Sequence, residues 1–170
     1  ETSVAIDNSA PTLSNVSIAS DNTNTSKARP GDDVTLTFTA SESISTPTVT
    51  FRSGGDAITD GSVVYSNTSG NTWTAVYTAN ASDTDGAVTY SIAFSDTTGN
   101  AGTAVTSGSG SVTTDTTAPT LSNVSITSDN STSTLAKAGD DVTLTFTASE
   151  AIGTPVVTFR SGGDAITDGS

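Results

Sequence analysis

Carboxylates are the side chains of this sequence with chemistry to offer. Asp and Glu number 18 against 5 Lys and Arg, for a formal charge of −13, and Cys, His and Met are absent. Without His there is no usual general base and no usual transition-metal ligand. Without Cys there is no thiolate nucleophile, zinc-thiolate site or disulfide. What remains are hard oxygen donors, which suit Ca²⁺ with its six to eight oxygen ligands. Asp83-Thr84-Asp85 sets two carboxylates two residues apart, and Asp96-Thr97-Thr98-Gly99-Asn100 pairs a carboxylate with an amide across a glycine turn. Asp, Asn and Gly also favour turns for their own sake, so each loop taken singly reads equally well as a solvated turn. Crowding is the argument for a cation, because like charges held close are destabilising until neutralised.

A repeat dictates where the acids gather. The segment 10–18 returns unchanged as 118–126, 33–42 as 141–150 and 50–62 as 158–170, always at an offset of 108. From Ala10 to Ser62, 42 of 53 positions are identical to their partners. A unit of 108 residues is a common domain size. The expected organisation is residues 1–9 as the tail and linker of a preceding repeat, 10–114 as one complete repeat, and 115–170 as part of a second. The chain is thus expected to be a piece of a longer tandem array. The copies differ most between 23–30 and 131–138, the mark of an exposed loop.

The elements that position the acids are strands. Val34, Leu36, Phe38 and Ala40 alternate with Thr35, Thr37 and Thr39, and similar alternation runs through 73–78 and 88–95. Thr is β-branched and water-compatible, so it suits the outer face of a sheet. The sequence predicts strands at 12–18, 33–41, 46–52, 62–67, 72–78, 87–95 and 103–112, and no helix. Seven short strands in about 100 residues indicate an all-β fold, an antiparallel Ig-like β-sandwich. Its core is expected around Trp73, Phe38, Phe51, Phe94 and Ile92. The third strand of the second repeat would be its last within the sequence, so that repeat cannot close a sandwich from 115–170 alone.

Strands that alternate up and down sort the loops to two poles. Asp7, Glu42 and Asp96 fall at one pole with the amide of Asn100. Asp21, Asp32, Asp56, Asp60, Asp83 and Asp85 fall at the other, beside Asn22. Asp115 lies in the next linker and Glu150 in the next repeat, so the junction is expected to collect carboxylates from both repeats.

Other classes fit poorly. Five dispersed basic residues under a net negative charge give no nucleic-acid footprint. No apolar run approaches the eighteen or so residues of a membrane span, so direct membrane insertion is not expected. No catalytic constellation is present, which points away from an enzyme. The Thr row 35–39 reads as strand propensity rather than an ice-binding face. Recognition of a glycan or a protein, through Trp73 or the variable loop, is the competing reading.

The motifs resemble a known family. Asp115-Thr116-Thr117-Ala118-Pro119-Thr120, Asp85-Gly86-Ala87-Val88-Thr89-Tyr90 and Asp96-Thr97-Thr98-Gly99-Asn100 are similar to motifs of bacterial Ig-like repeats. Those repeats form the stalks of giant type I-secreted, RTX-type adhesins, including biofilm and ice-binding adhesins. The first linker departs from the pattern, with Asp7-Asn8-Ser9-Ala10-Pro11. The resemblance implies an extracellular extender at the bacterial surface, with neighbouring repeats as partners, Ca²⁺ at the linkers and the tip ligand elsewhere in the protein. By motif it implies Asp7 and Asp115 in linkers, and Asp96 and Asn100 in a loop, as metal ligands. Glu42, Asp21, Asp83, Asp85 and Glu150 are candidates from the pole argument.

Overall fold

The computed structural model describes residues 3–59 and 61–166, so Asp60 lies outside the described residues. The chain divides into two compact units, Glu1–Thr117 and Ala118–Ser170.

The first unit is an antiparallel β-sandwich, with no helix among the described residues. Its strands are β1 (Leu13–Ser20), β2 (Lys27–Ala28), β3 (Asp33–Ala40), β4 (Thr48–Ser53), β5 (Asp56–Ala57), β6 (Val64–Ser69), β7 (Thr72–Thr78), β8 (Gly86–Ala93) and β9 (Thr113–Thr114). One sheet has the order β1-β3-β7-β6 and the other β2-β9-β8-β4-β5. With β2 and β5 as short additions at the edges of the second sheet, these are the ABED and GFC sheets of the Ig constant-type sandwich, strand G being reduced to β9.

Alternation built the core as the pattern requires. Val34, Leu36, Phe38 and Ala40 of β3 point inward, against Val49 and Phe51 of β4 and Ile92 of β8, all buried. Phe51 and Tyr77, from opposite sheets, pack with ring centroids 4.8 Å apart at 44°, a tilted contact favourable for aromatic pairs. Tyr65 reaches across from β6, where its hydroxyl accepts from the Val49 amide at 2.8 Å. Trp73, expected in the core, is only partly buried and pairs across from Phe38 at the core's margin.

Two departures from the expected strands have physical causes. The predicted strand 103–112 is not regular. It makes isolated bridges from Val105 to Ile92 and Ser109 to Ser17, Ala101 just before it bridges to Ser95, and the chain settles into a ladder only at β9, beyond the predicted end. The segment changes partner between the two sheets, and glycines at 102, 108 and 110 let its backbone pass close to its neighbours. In β1 the pairing with β3 slips between Ser14 and Ser17, around Asn15 at φ 51°. This is a β-bulge, and Asn is among the few residues that enter the left-handed region readily.

The second unit carries β10 (Leu121–Ser128), β11 (Val142–Ala148), β12 (Arg160–Ser161) and β13 (Asp164–Ala165). β10 and β11 form a hairpin with the same bulge, at Asn123 with φ 51°. The expected third strand shrinks to β12, which pairs only with β13. In the first unit the corresponding β4 is held along its length by β8. Among the described residues of the second unit no strand plays that part. Its apolar face is open: Ile126 is 60% exposed where Ile18 is 5%, and Val142 40% where Val34 is 0%.

Candidate metal centre

Three loops at one pole of the first unit bring Asp7, Glu42 and Asp96 together, with one carboxylate oxygen of each within 4.8 Å of the others. Asp7 lies on the segment leading into β1, Glu42 two residues beyond β3, and Asp96 three residues beyond β8. Asp96 sits in this position because its loop folds around it. Its Oδ1 accepts the amides of Thr98 at 2.9 Å, Gly99 at 2.6 Å and Asn100 at 2.8 Å. Its Oδ2 accepts the Thr98 hydroxyl at 3.0 Å and the Asn100 Nδ2 at 2.7 Å. Asn100 Nδ2 also donates to the Asp7 carbonyl at 3.1 Å, tying the leading segment to the loop.

The electrostatics are one-sided. Burial pushes the Asp96 carboxyl up, but the donors from Asn100, Thr98 and Gly99 outweigh it and bring the group to about 2 from a usual 3.8. A lowered value means that ionised Asp96 stabilises the fold in full above the usual value, and that this is lost as pH falls through about 2. Chemical shifts of the Gly99 and Asn100 amides should therefore stay native-like at pH 3 and move only as pH approaches 2. A midpoint near 4 would contradict the hydrogen-bond account. No basic side chain offsets the cluster: among the described residues the ion pairs are Arg29 with Asp32 and Lys137 with Asp140. No hydrogen bond to the Glu42 carboxylate is found among the described residues either, so its oxygens are open to a cation. These three carboxylates could hold a metal ion.

The remaining candidates are used differently. Asp21 Oδ1 accepts the Asp33 amide at 2.9 Å, fixing the start of β3. Asp83 is buried and accepts the amides of Thr59 at 2.8 Å and Asn80 at 2.9 Å. Asp85 accepts the amide and hydroxyl of Thr116 and the hydroxyl of Thr117, which hold it below its usual value. Asp115 takes the Thr117 amide at 3.2 Å. In the second unit one oxygen of Glu150 is shielded from solvent without a hydrogen-bond partner. Among the described residues, no second trio of carboxylates meets the spacing of the first.

Sequence reasoning set Asp32 and Asn22 at one pole but did not foresee their clasp, where Asn22 Nδ2 at 2.7 Å and the Arg29 amide at 2.9 Å converge on one Asp32 oxygen. Its signal was the recurrence of Asn130 with Asp140 at the same spacing of ten, which forms the same bond at 2.7 Å. No family model matches the chain, and no curated protein matches it.

Proposed function

We propose that this chain is a structural extender of a bacterial cell-surface adhesin, in which Ca²⁺ held by Asp7, Glu42 and Asp96 fixes the leading linker to the sandwich that follows. The observation that carries this reading is the meeting of a linker carboxylate, Asp7, with two carboxylates of the body. Two oxygens bonded to one Ca²⁺ at about 2.4 Å lie at most about 4.8 Å apart, which the trio satisfies. The donor set is all oxygen and triply acidic, suited to a hard divalent cation. Bound Ca²⁺ would offset two of the trio's three negative charges and join the three segments of chain that carry it, restricting the leading segment. Outside the cell and between neighbouring repeats of one chain, such a device stiffens a stalk.

Thermal melting tests it. CaCl₂ is expected to raise the melting temperature of the first unit and EGTA to reverse the gain, by about 2.7 kcal/mol at a hundred times the dissociation constant. Glu42→Gln should abolish the gain while leaving stability in EGTA intact, because it also removes like-charge repulsion. Equal melting in Ca²⁺ and EGTA would sink the calcium reading.

A further inference from the structure

We propose that Gly108-Ser109-Gly110 is a tension-bearing latch that clasps the incoming strand of the first unit directly to its outgoing strand. Ser109 makes three hydrogen bonds to β1. Its amide donates to the Val16 carbonyl at 2.8 Å, its carbonyl accepts the Ile18 amide at 3.0 Å, and its hydroxyl donates to the Val16 carbonyl at 3.2 Å. The pairing is parallel, Ser17 with Ser109. The flanking glycines permit it. A Cβ at Gly108 would stand 2.4 Å from the Val16 oxygen, and one at Gly110 2.2 Å from the Ile18 oxygen. Any side chain at either position would push the two strands apart.

The parallel sense gives the latch its mechanical character. The chain arrives at the start of β1 and departs beyond the end of β9. Tension on the two ends therefore drags β1 and the 108–114 segment in opposite directions along their own length. Bonds between parallel strands loaded this way are sheared together instead of being unzipped in turn. A second parallel patch shares the load at the outgoing end: the Thr113 amide donates to the Ser26 carbonyl and the Asp115 amide to the Ala28 carbonyl, both at 2.9 Å. Resistance to force is a rate, set by the barrier to unfolding and not by equilibrium stability alone. A latch between terminal strands can thus raise the breaking force without adding much to stability at rest. None of these bonds involves Asp7, Glu42 or Asp96, so the latch operates with or without a metal.

The absence of Cys makes the test direct, because thiol handles can be placed at will in the 170-residue chain. One pair, Ser3→Cys with Ala118→Cys, loads the first unit end to end. Another, Thr50→Cys with Ser66→Cys, pulls on β4 and β6 and bypasses the latch. Optical-tweezer unfolding in EGTA should need a clearly higher force for the end-to-end pair. Gly108→Ala should lower that force by roughly a third or more, as the three bonds of Ser109 are lost, while changing the bypass force only as far as its urea stability changes. Persistence of the difference in EGTA separates the latch from the calcium reading. Equal forces for the two pairs in the unsubstituted chain would overturn the proposal whether or not Gly108→Ala folds. So would a Gly108→Ala loss that is the same in both directions.

Discussion

In the 170-residue chain, backbone amides of β10 and β11 will exchange with solvent at least about a thousandfold faster than their counterparts in β1 and β3. The strands of the two hairpins are nearly the same in sequence and share register and bulge, with Leu121 opposite Ala148 as Leu13 is opposite Ala40. Local propensity is therefore held constant between them. What differs is the opposing layer. In the first unit Val34, Leu36 and Phe38 are fully buried beneath Phe51 and Ile92, whereas Ile126, Val142 and Leu121 remain 40% to 60% exposed. A two-stranded hairpin without a covered apolar face is marginal in water. Exchange measured by NMR or mass spectrometry on the whole chain reads both hairpins in one sample. Matching protection would mean that the hairpin holds itself together, and that the sandwich contributes less than burial suggests.

Gly86→Ala will destabilise the first unit by about 3 kcal/mol or more. Two loops lie against each other where β4 turns into β5 and where the chain enters β8. Gly54 donates its amide to the Ala87 carbonyl at 3.1 Å, and the Ser53 hydroxyl donates to the Thr84 carbonyl at 2.7 Å. Gly86 sits at φ 139°, a region almost reserved for glycine, and a Cβ there would be 2.8 Å from the Gly54 Cα. The neighbouring atom is backbone, so it cannot swing aside as a flexible side chain could. Gly55→Ala is the control. Gly55 has φ 96° but nothing within 4 Å of its would-be Cβ, so the substitution carries backbone strain alone, about 1 to 2 kcal/mol. Urea denaturation of both variants should separate them. Equal losses would show that the close approach is not what matters at Gly86.

The sandwich was legible because its strands obey one rule. Thr alternating with Val, Leu and Phe in β3 specifies both the strand and its buried face, and strand order then sorts the loops. That was enough to place Asp7, Glu42, Asp96 and Asn100 at one pole, where they meet. At the other pole the same reasoning reached its limit. Asp83 and Asp85 look like a pair in the sequence, but bends in the chain turn one to Thr59 and Asn80 and the other to Thr116 and Thr117. Whether an Asp caps a turn or faces its neighbours depends on backbone angles that composition does not encode. The segment before β9 was misread for a related reason. Its alternation of small residues mimics a strand, while its glycines serve close approach to β1 instead of a ladder.

The position of Trp73 at the margin of the core has an optical consequence. It is the single Trp of the chain, and the three Tyr residues, Tyr65, Tyr77 and Tyr90, also lie in the first unit. The second unit contributes only Phe to the near-ultraviolet. Intrinsic fluorescence therefore watches one unit and is blind to the other. A single smooth emission transition would describe the sandwich around Trp73 and say nothing about the open hairpin, whose opening must be followed through the backbone.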